Sequence, residues 1–226
     1  MIENILGQIF PTEYGVDSAN IQVPIVRHNA SFSVSDPKAC GPCQANPLQA
    51  YRANCNHEIL KVNNNGEELA LVWYEQYIAQ YEQRGKDIGE RCDLLITDSG
   101  MEKRKIVFCD LCCYSEEFVN PNTGKYPEGK RAKARQQMTR SIERLINQHV
   151  TAVNLLTYHE KICLFAWRDY DVPDLPVMAT RGNARSNVQA FGSTISNMAT
   201  TTTTHHQKVG HDFTFMQVKY PTAYNW

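Results

Sequence analysis

Arg91-Cys92-Asp93-Leu94-Leu95-Ile96-Thr97-Asp98, a turn at Ser99-Gly100, then Lys105-Ile106-Val107-Phe108-Cys109-Asp110-Leu111-Cys112-Cys113 reads as two β-strands joined in a hairpin. Short apolar runs bounded by turn residues and rich in β-formers are the pattern of buried strands. Each run nevertheless carries a carboxylate, Asp93 in the first and Asp110 in the second. A strand buried on both faces is otherwise almost wholly apolar. Burying a carboxylate without a partner is costly, so two on neighbouring strands point to a metal ion, a cation or a polar network that stabilises both. The bland alternative is two carboxylates at strand ends facing water. The expectation is that Asp93 and Asp110 approach one another on one face of a sheet.

Outward from the hairpin, the 226 residues divide into three stretches. Residues 1–65 hold Pro11, Pro24, Pro37, Pro42 and Pro47 and read as an irregular, Cys-containing extension with short strands, Ile21 to Val26 among them. Residues 66–170 read as an α/β core. There Leu69, Val72, Trp73, Tyr77 and Tyr81 recur at helical spacing and predict a helix over 67–84. A second helix over 130–148 follows from Ala134, Met138, Ile142, Leu145 and Ile146, and Lys161 to Trp167 is a further apolar strand. Residues 171–226 form a low-complexity tail with the run Thr200 to Thr204, ending in the alternating segment Phe213 to Tyr220. That last segment is expected to add to a sheet, either this chain's or a partner's.

A net charge of −1 gives no whole-chain attraction to nucleic acid or membrane, so any such affinity is local. No stretch has the roughly 20 apolar residues of a membrane span, and the start of the chain lacks a signal-peptide pattern. Of eight cysteines, Cys92, Cys109, Cys113 and Cys163 sit inside apolar strands, which favours reduced thiols and a cytoplasmic location. Local charge is concentrated between residues 125 and 144. Seven basic residues there (Lys125, Lys130, Arg131, Lys133, Arg135, Arg140, Arg144) face two acidic ones, Glu128 and Glu143. This is either a solvated helix face or a surface for a polyanion or an acidic protein. Cys40-Gly41-Pro42-Cys43 with Cys55 and His57 offers four Zn²⁺ ligands, against the alternative of unligated cysteines in a packed loop.

The order helix, strand pair, basic helix, strand resembles the core of the restriction-endonuclease-like, PD-(D/E)xK, nuclease superfamily over about residues 66–168. The resemblance implies a mixed sheet flanked by helices. It also implies a Mg²⁺ site in which Asp93 supplies the first carboxylate and Asp110-Leu111-Cys112 occupies the D/E-x-K place, with Glu75 from the preceding helix as a third acidic group. In that family the motif lysine orients or activates the attacking water. Cys112 brings no fixed charge to that place, and a thiol is a soft ligand poorly matched to Mg²⁺. Lys130 and Lys133 on the following helix are candidates to replace it, as in members where the lysine has migrated.

Three functions follow as expectations. The first is a nucleic-acid-engaging, nuclease-like protein, a Mg²⁺-dependent phosphodiesterase impaired by Cys112. The second is a non-catalytic binding or structural subunit of a nucleoprotein or defence complex, with a protein partner or a second copy of the chain. The third is a Zn²⁺-stabilised interaction module.

Overall fold

The computed structural model describes residues 2–36, 58–100, 104–114, 116–121, 127–146, 155–169 and 207–226. They form a mixed α/β structure around a seven-stranded mixed sheet. In chain order the strands are β1 (Ile25–His28), β2 (Phe32–Ser35), β3 (Glu58–Asn63), β4 (Leu69–Trp73), β5 (Leu94–Asp98), β6 (Lys105–Cys113), β7 (Glu160–Arg168), β8 (Gln207–Val209), β9 (Phe213–Lys219) and β10 (Ala223–Asn225). The helical elements are the segment 2–13, here α1, then α2 (Tyr74–Glu82), α3 (Glu116–Val119) and α4 (Gly129–Ile146). The main sheet runs β1-β4-β5-β6-β7-β9-β8 and a second, three-stranded sheet runs β10-β3-β2. From β1 to β6 the neighbours are antiparallel, whereas β6, β7 and β9 are parallel. The parallel β6–β7 pair is bridged by the chain that carries α4, as a parallel connection requires.

Both faces of the main sheet are covered, which is why its central strands read as continuous apolar runs. Even-numbered residues of β6, Ile106, Phe108 and Cys112, pack with α1, α2 and α4 through Phe10, Tyr77, Tyr81, Met138 and Ile142. Odd-numbered Val107, Cys109 and Leu111 pack on the opposite side against Phe32, Val34, Leu60 and Val62 of the second sheet. The two-residue period of the strand thus sorts one sequence onto two cores.

The expected helix over 67–84 is half strand. Leu69 to Trp73 form β4, fully buried between β1 and β5, and helix begins only at Tyr74. Five consecutive apolar residues fit a two-sided strand as well as a helix stripe, and the adjoining aromatic period carried the helical pattern backwards. The candidate strand at 21–26 lies at Ile25–His28 instead. Residues 2–13 are helical, with Ile2, Ile5, Leu6 and Phe10 buried. The hydroxyl of Tyr77 ties that segment down by donating to the Leu6 carbonyl at 2.7 Å. The alternating segment near residue 215 is β9, parallel to β7 in this chain's own sheet, with Phe213 and Phe215 on one face and Met216 and Val218 on the other. Among the described residues no helix is long and apolar enough to cross a membrane.

Candidate active site

Asp93 lies one residue before β5, and the register places it directly opposite Asp110. Leu94 pairs with Cys109, and the Asp93 N–H continues the ladder by donating to the Cys109 carbonyl at 3.1 Å. Residues directly opposite in an antiparallel pair project to the same face, so both carboxylates stand on the helical side of the sheet. Both line one cavity of about 420 Å³. Asp93 is held by its own neighbours, since Oδ2 accepts from the Leu111 N–H at 2.7 Å and its carbonyl accepts from the Glu75 N–H at 3.2 Å. Asp110 is buried, at 8% exposure. Asp93 precedes an antiparallel strand while Asp110 is late in β6. Both therefore sit at the carboxyl end of the parallel strands, where open α/β sheets bind ligands.

The opposite wall is α4. Lys130, Lys133 and Gln137 recur at i, i+3 and i+7, and all three line the cavity. The helix is locked in place along the segment that leads into Asp93. Gln137 Nε2 donates to the Arg91 carbonyl at 3.0 Å, and Ser141 Oγ accepts from the Cys92 N–H at 3.0 Å. Arg144 donates to the carbonyls of Ile88 and Glu90, and Arg140 pairs with the Glu90 carboxylate at 2.7 Å. At the other end Gly129 opens the helix with φ +78° against the end of α3. A Cβ there would lie 2.5 Å from the Asn120 carbonyl carbon and 2.6 Å from the Val119 oxygen, so only glycine lets the helix start this close.

Cys112 lines the same cavity. Burial above all, reinforced by the nearby Asp110 charge and opposed by Lys130, pushes its thiol up to about 12. It is a neutral thiol at physiological pH. The positive charge beside it comes from Lys130, whose ammonium stands 3.9 Å from the ring centroid of Tyr114.

The basic residues of α4 thus have different surroundings. Lys130 and Lys133 face the cavity, Arg140 and Arg144 fasten the helix to the 88–90 loop, and Arg135 bears on the buried Cys163 thiol. Arg131 is half-buried on the same helix and is not among the cavity-lining residues. Glu75 occupies the first turn of α2, where its backbone touches Asp93, but its side chain is not among those lining the cavity. Lys125 and the set Cys40, Cys43, Cys55 and His57 lie outside the described residues. Sequence reasoning missed Asp36, Tyr114 and Gln137, which also line the cavity. Gln137 was recoverable from its helical spacing to Lys130. Asp36 was not, because it arrives from the end of β2 in the second sheet.

Among the described residues no three Asp, Glu, His or Cys side chains are grouped as a metal-holding cluster. The donor set at Asp93 and Asp110 fits Mg²⁺ all the same. This ion characteristically takes one or two carboxylates and fills its remaining positions with water and substrate phosphate. Comparisons with protein families, curated proteins and solved structures returned no match for this chain.

Proposed function

We propose that the chain is a nuclease-like protein that engages a phosphodiester of nucleic acid in this cavity, and that Lys130 takes the part of the lysine missing at position 112. The observation that carries this reading is the convergence of Asp93, Asp110, Lys130 and Lys133, from two strands and one helix, on a single cavity. The antiparallel run β4-β5-β6, the α4 crossover and the parallel β7 support a restriction-endonuclease-like core.

Asp93 and Asp110 would hold Mg²⁺, which supplies charge stabilisation at the phosphoryl oxygens and lowers the pKa of bound water. The ammonium groups of Lys130 and Lys133 and the N-terminus of α4 attract the phosphate and offset its charge. Lys130, fixed over the Tyr114 ring, donates a hydrogen bond that orients the attacking water. Asp93, anchored by the Leu111 N–H, keeps its geometry as the substrate arrives. Cys112 contributes shape and no charge.

The test is cleavage of single- and double-stranded DNA and RNA with Mg²⁺ or Mn²⁺. Asp110→Asn is expected to abolish cleavage. Lys130→Ala is expected to lower it by about 10²- to 10⁴-fold, the range for a positioned proton-transfer or charge-stabilising group, and by more than Lys133→Ala does. Cleavage that survives Asp110→Asn would overturn the reading. Tight binding with no cleavage by the wild-type protein would favour a binding subunit, for which the neutral Cys112 is the structural argument.

A further inference from the structure

We infer that Tyr114 is a stacking platform for a nucleobase at the mouth of the cavity, so that the strand bound there is unpaired rather than duplex. The inference rests on the phosphodiester reading above. Tyr114 is 40% exposed, whereas the tyrosines of α2, Tyr74, Tyr77 and Tyr81, are buried. Its position is nonetheless fixed. The Tyr114 N–H donates to the Arg168 carbonyl at 3.2 Å, continuing the β6–β7 ladder one residue past the Cys113–Arg168 pair. Strand alternation then sets Asp110, Cys112 and Tyr114 in one row, and all three line the cavity.

The ring is also oriented. The Lys130 ammonium lies over it at 3.9 Å from the centroid, and Phe118 meets it edge-on at 6.4 Å and 72°. The Lys130 ammonium covers one face and Phe118 abuts the ring at T-shaped geometry, so a base would stack on the other face of the ring. A base within a duplex has both faces covered by its neighbours. Only an unpaired or flipped base can lay a face on such a ring, and stacking of this kind is indifferent to sequence. Lys130 links the two activities, holding the platform and facing the carboxylate pair.

The experiment measures binding of wild-type protein, Tyr114→Ala, Tyr114→Phe and Tyr114→Leu to single-stranded DNA, single-stranded RNA and duplex DNA by fluorescence anisotropy, with Ca²⁺ in place of Mg²⁺. A single-stranded oligonucleotide containing 2-aminopurine reports stacking directly by quenching. The expected result is that Tyr114→Ala weakens single-strand binding about 5- to 150-fold, the range of base–aromatic stacking, and removes the quenching. Tyr114→Phe retains both within about twofold, Tyr114→Leu does not, and duplex binding is the same in all four proteins. The DNA and RNA arms show whether the sugar is read as well. Equal affinity of Tyr114→Ala and wild type for single strands would overturn the inference, as would a Tyr114→Phe defect as large as that of Tyr114→Ala. Single-strand binding and quenching indifferent to Tyr114→Ala, alongside cleavage that depends on Asp110, defeat this inference alone. Stacking that depends on Tyr114, alongside cleavage indifferent to Asp110→Asn, defeats the nuclease reading alone.

Discussion

Gly129→Ala should strike stability and site geometry at once. The substitution places a methyl group in a backbone conformation of φ +78°, which costs an L-residue about 1–2 kcal/mol. It also sets that methyl 2.5 Å from the Asn120 carbonyl carbon, when contacts under 3.0 Å essentially never occur, so the first turn of α4 must retreat by at least about 0.5 Å. The obstacle is backbone rather than a flexible side chain, and forcing atoms into such packing costs roughly 1–3 kcal/mol more. The sum is about 2–5 kcal/mol, or roughly 4–20 °C in Tm at the 2–4 °C per kcal/mol typical of chains this long. Gly85→Ala is the matched control, because Gly85 also has positive φ, +75°, but a Cβ there meets nothing within 4 Å. The two variants share the conformational cost, so the difference between their urea-unfolding free energies isolates the close approach. If the chain cleaves nucleic acid as proposed, Gly129→Ala should also lose more of that cleavage than Gly85→Ala, since Lys130 and Lys133 move with the turn. Equal unfolding free energies for the two variants would refute the argument that glycine is needed here for proximity.

Ser141→Ala leaves the buried Cys92 N–H without its acceptor, and a lost partner of this kind costs about 1–3 kcal/mol, measurable by chemical denaturation. Ser141→Thr, which keeps the hydroxyl, separates this loss from a simple volume effect. Alkaline pH should destabilise the protein. Burial raises the thiols of Cys92, Cys109, Cys112 and Cys163 above their ordinary value of 9.0, with Cys112 and Cys163 at about 12. Between pH 9 and 12 the unfolded chain therefore sheds protons that the folded chain keeps, and stability falls as pH rises through that window. A urea midpoint unchanged between pH 8 and pH 10.5 would contradict this.

What could be read from the sequence was local. The hairpin of β5 and β6 and the placing of Asp93 and Asp110 were legible because turn residues bound two apolar runs and each carboxylate interrupts one of them. The core of α4 was legible because Ala134, Met138, Ile142 and Leu145 keep a clean helical period, and all four are buried. β4 was not, because a strand covered on both faces loses its two-residue alternation and the aromatic residues of α2 follow without a break. The helical segment at 2–13 escaped notice although Ile2, Ile5, Leu6 and Phe10 recur at helical spacing, since Gly7 and Pro11 interrupt its propensity. The membership of Asp36 and Tyr114 in the site depends on which strands become neighbours. Pairing between strands distant in sequence leaves no periodic signature in either of them.

The placement of β9 and β10 has a consequence for how the protein is made. β9 occupies the place beside β7 in the main sheet with β8 outside it, while β10 pairs with β3 in the other, so residues 207–225 complete both sheets. Among the described residues up to 169 no other strand pairs with those edges of β7 and β3, so a nascent chain that has emerged from the ribosome only that far presents them open. Such edges are templates for pairing with other chains. At synthesis rates of about 5–20 residues per second, the remaining stretch to residue 225 keeps them exposed for several seconds. Chains truncated before residue 207 are therefore expected to associate through these edges, which light scattering of such truncations would detect.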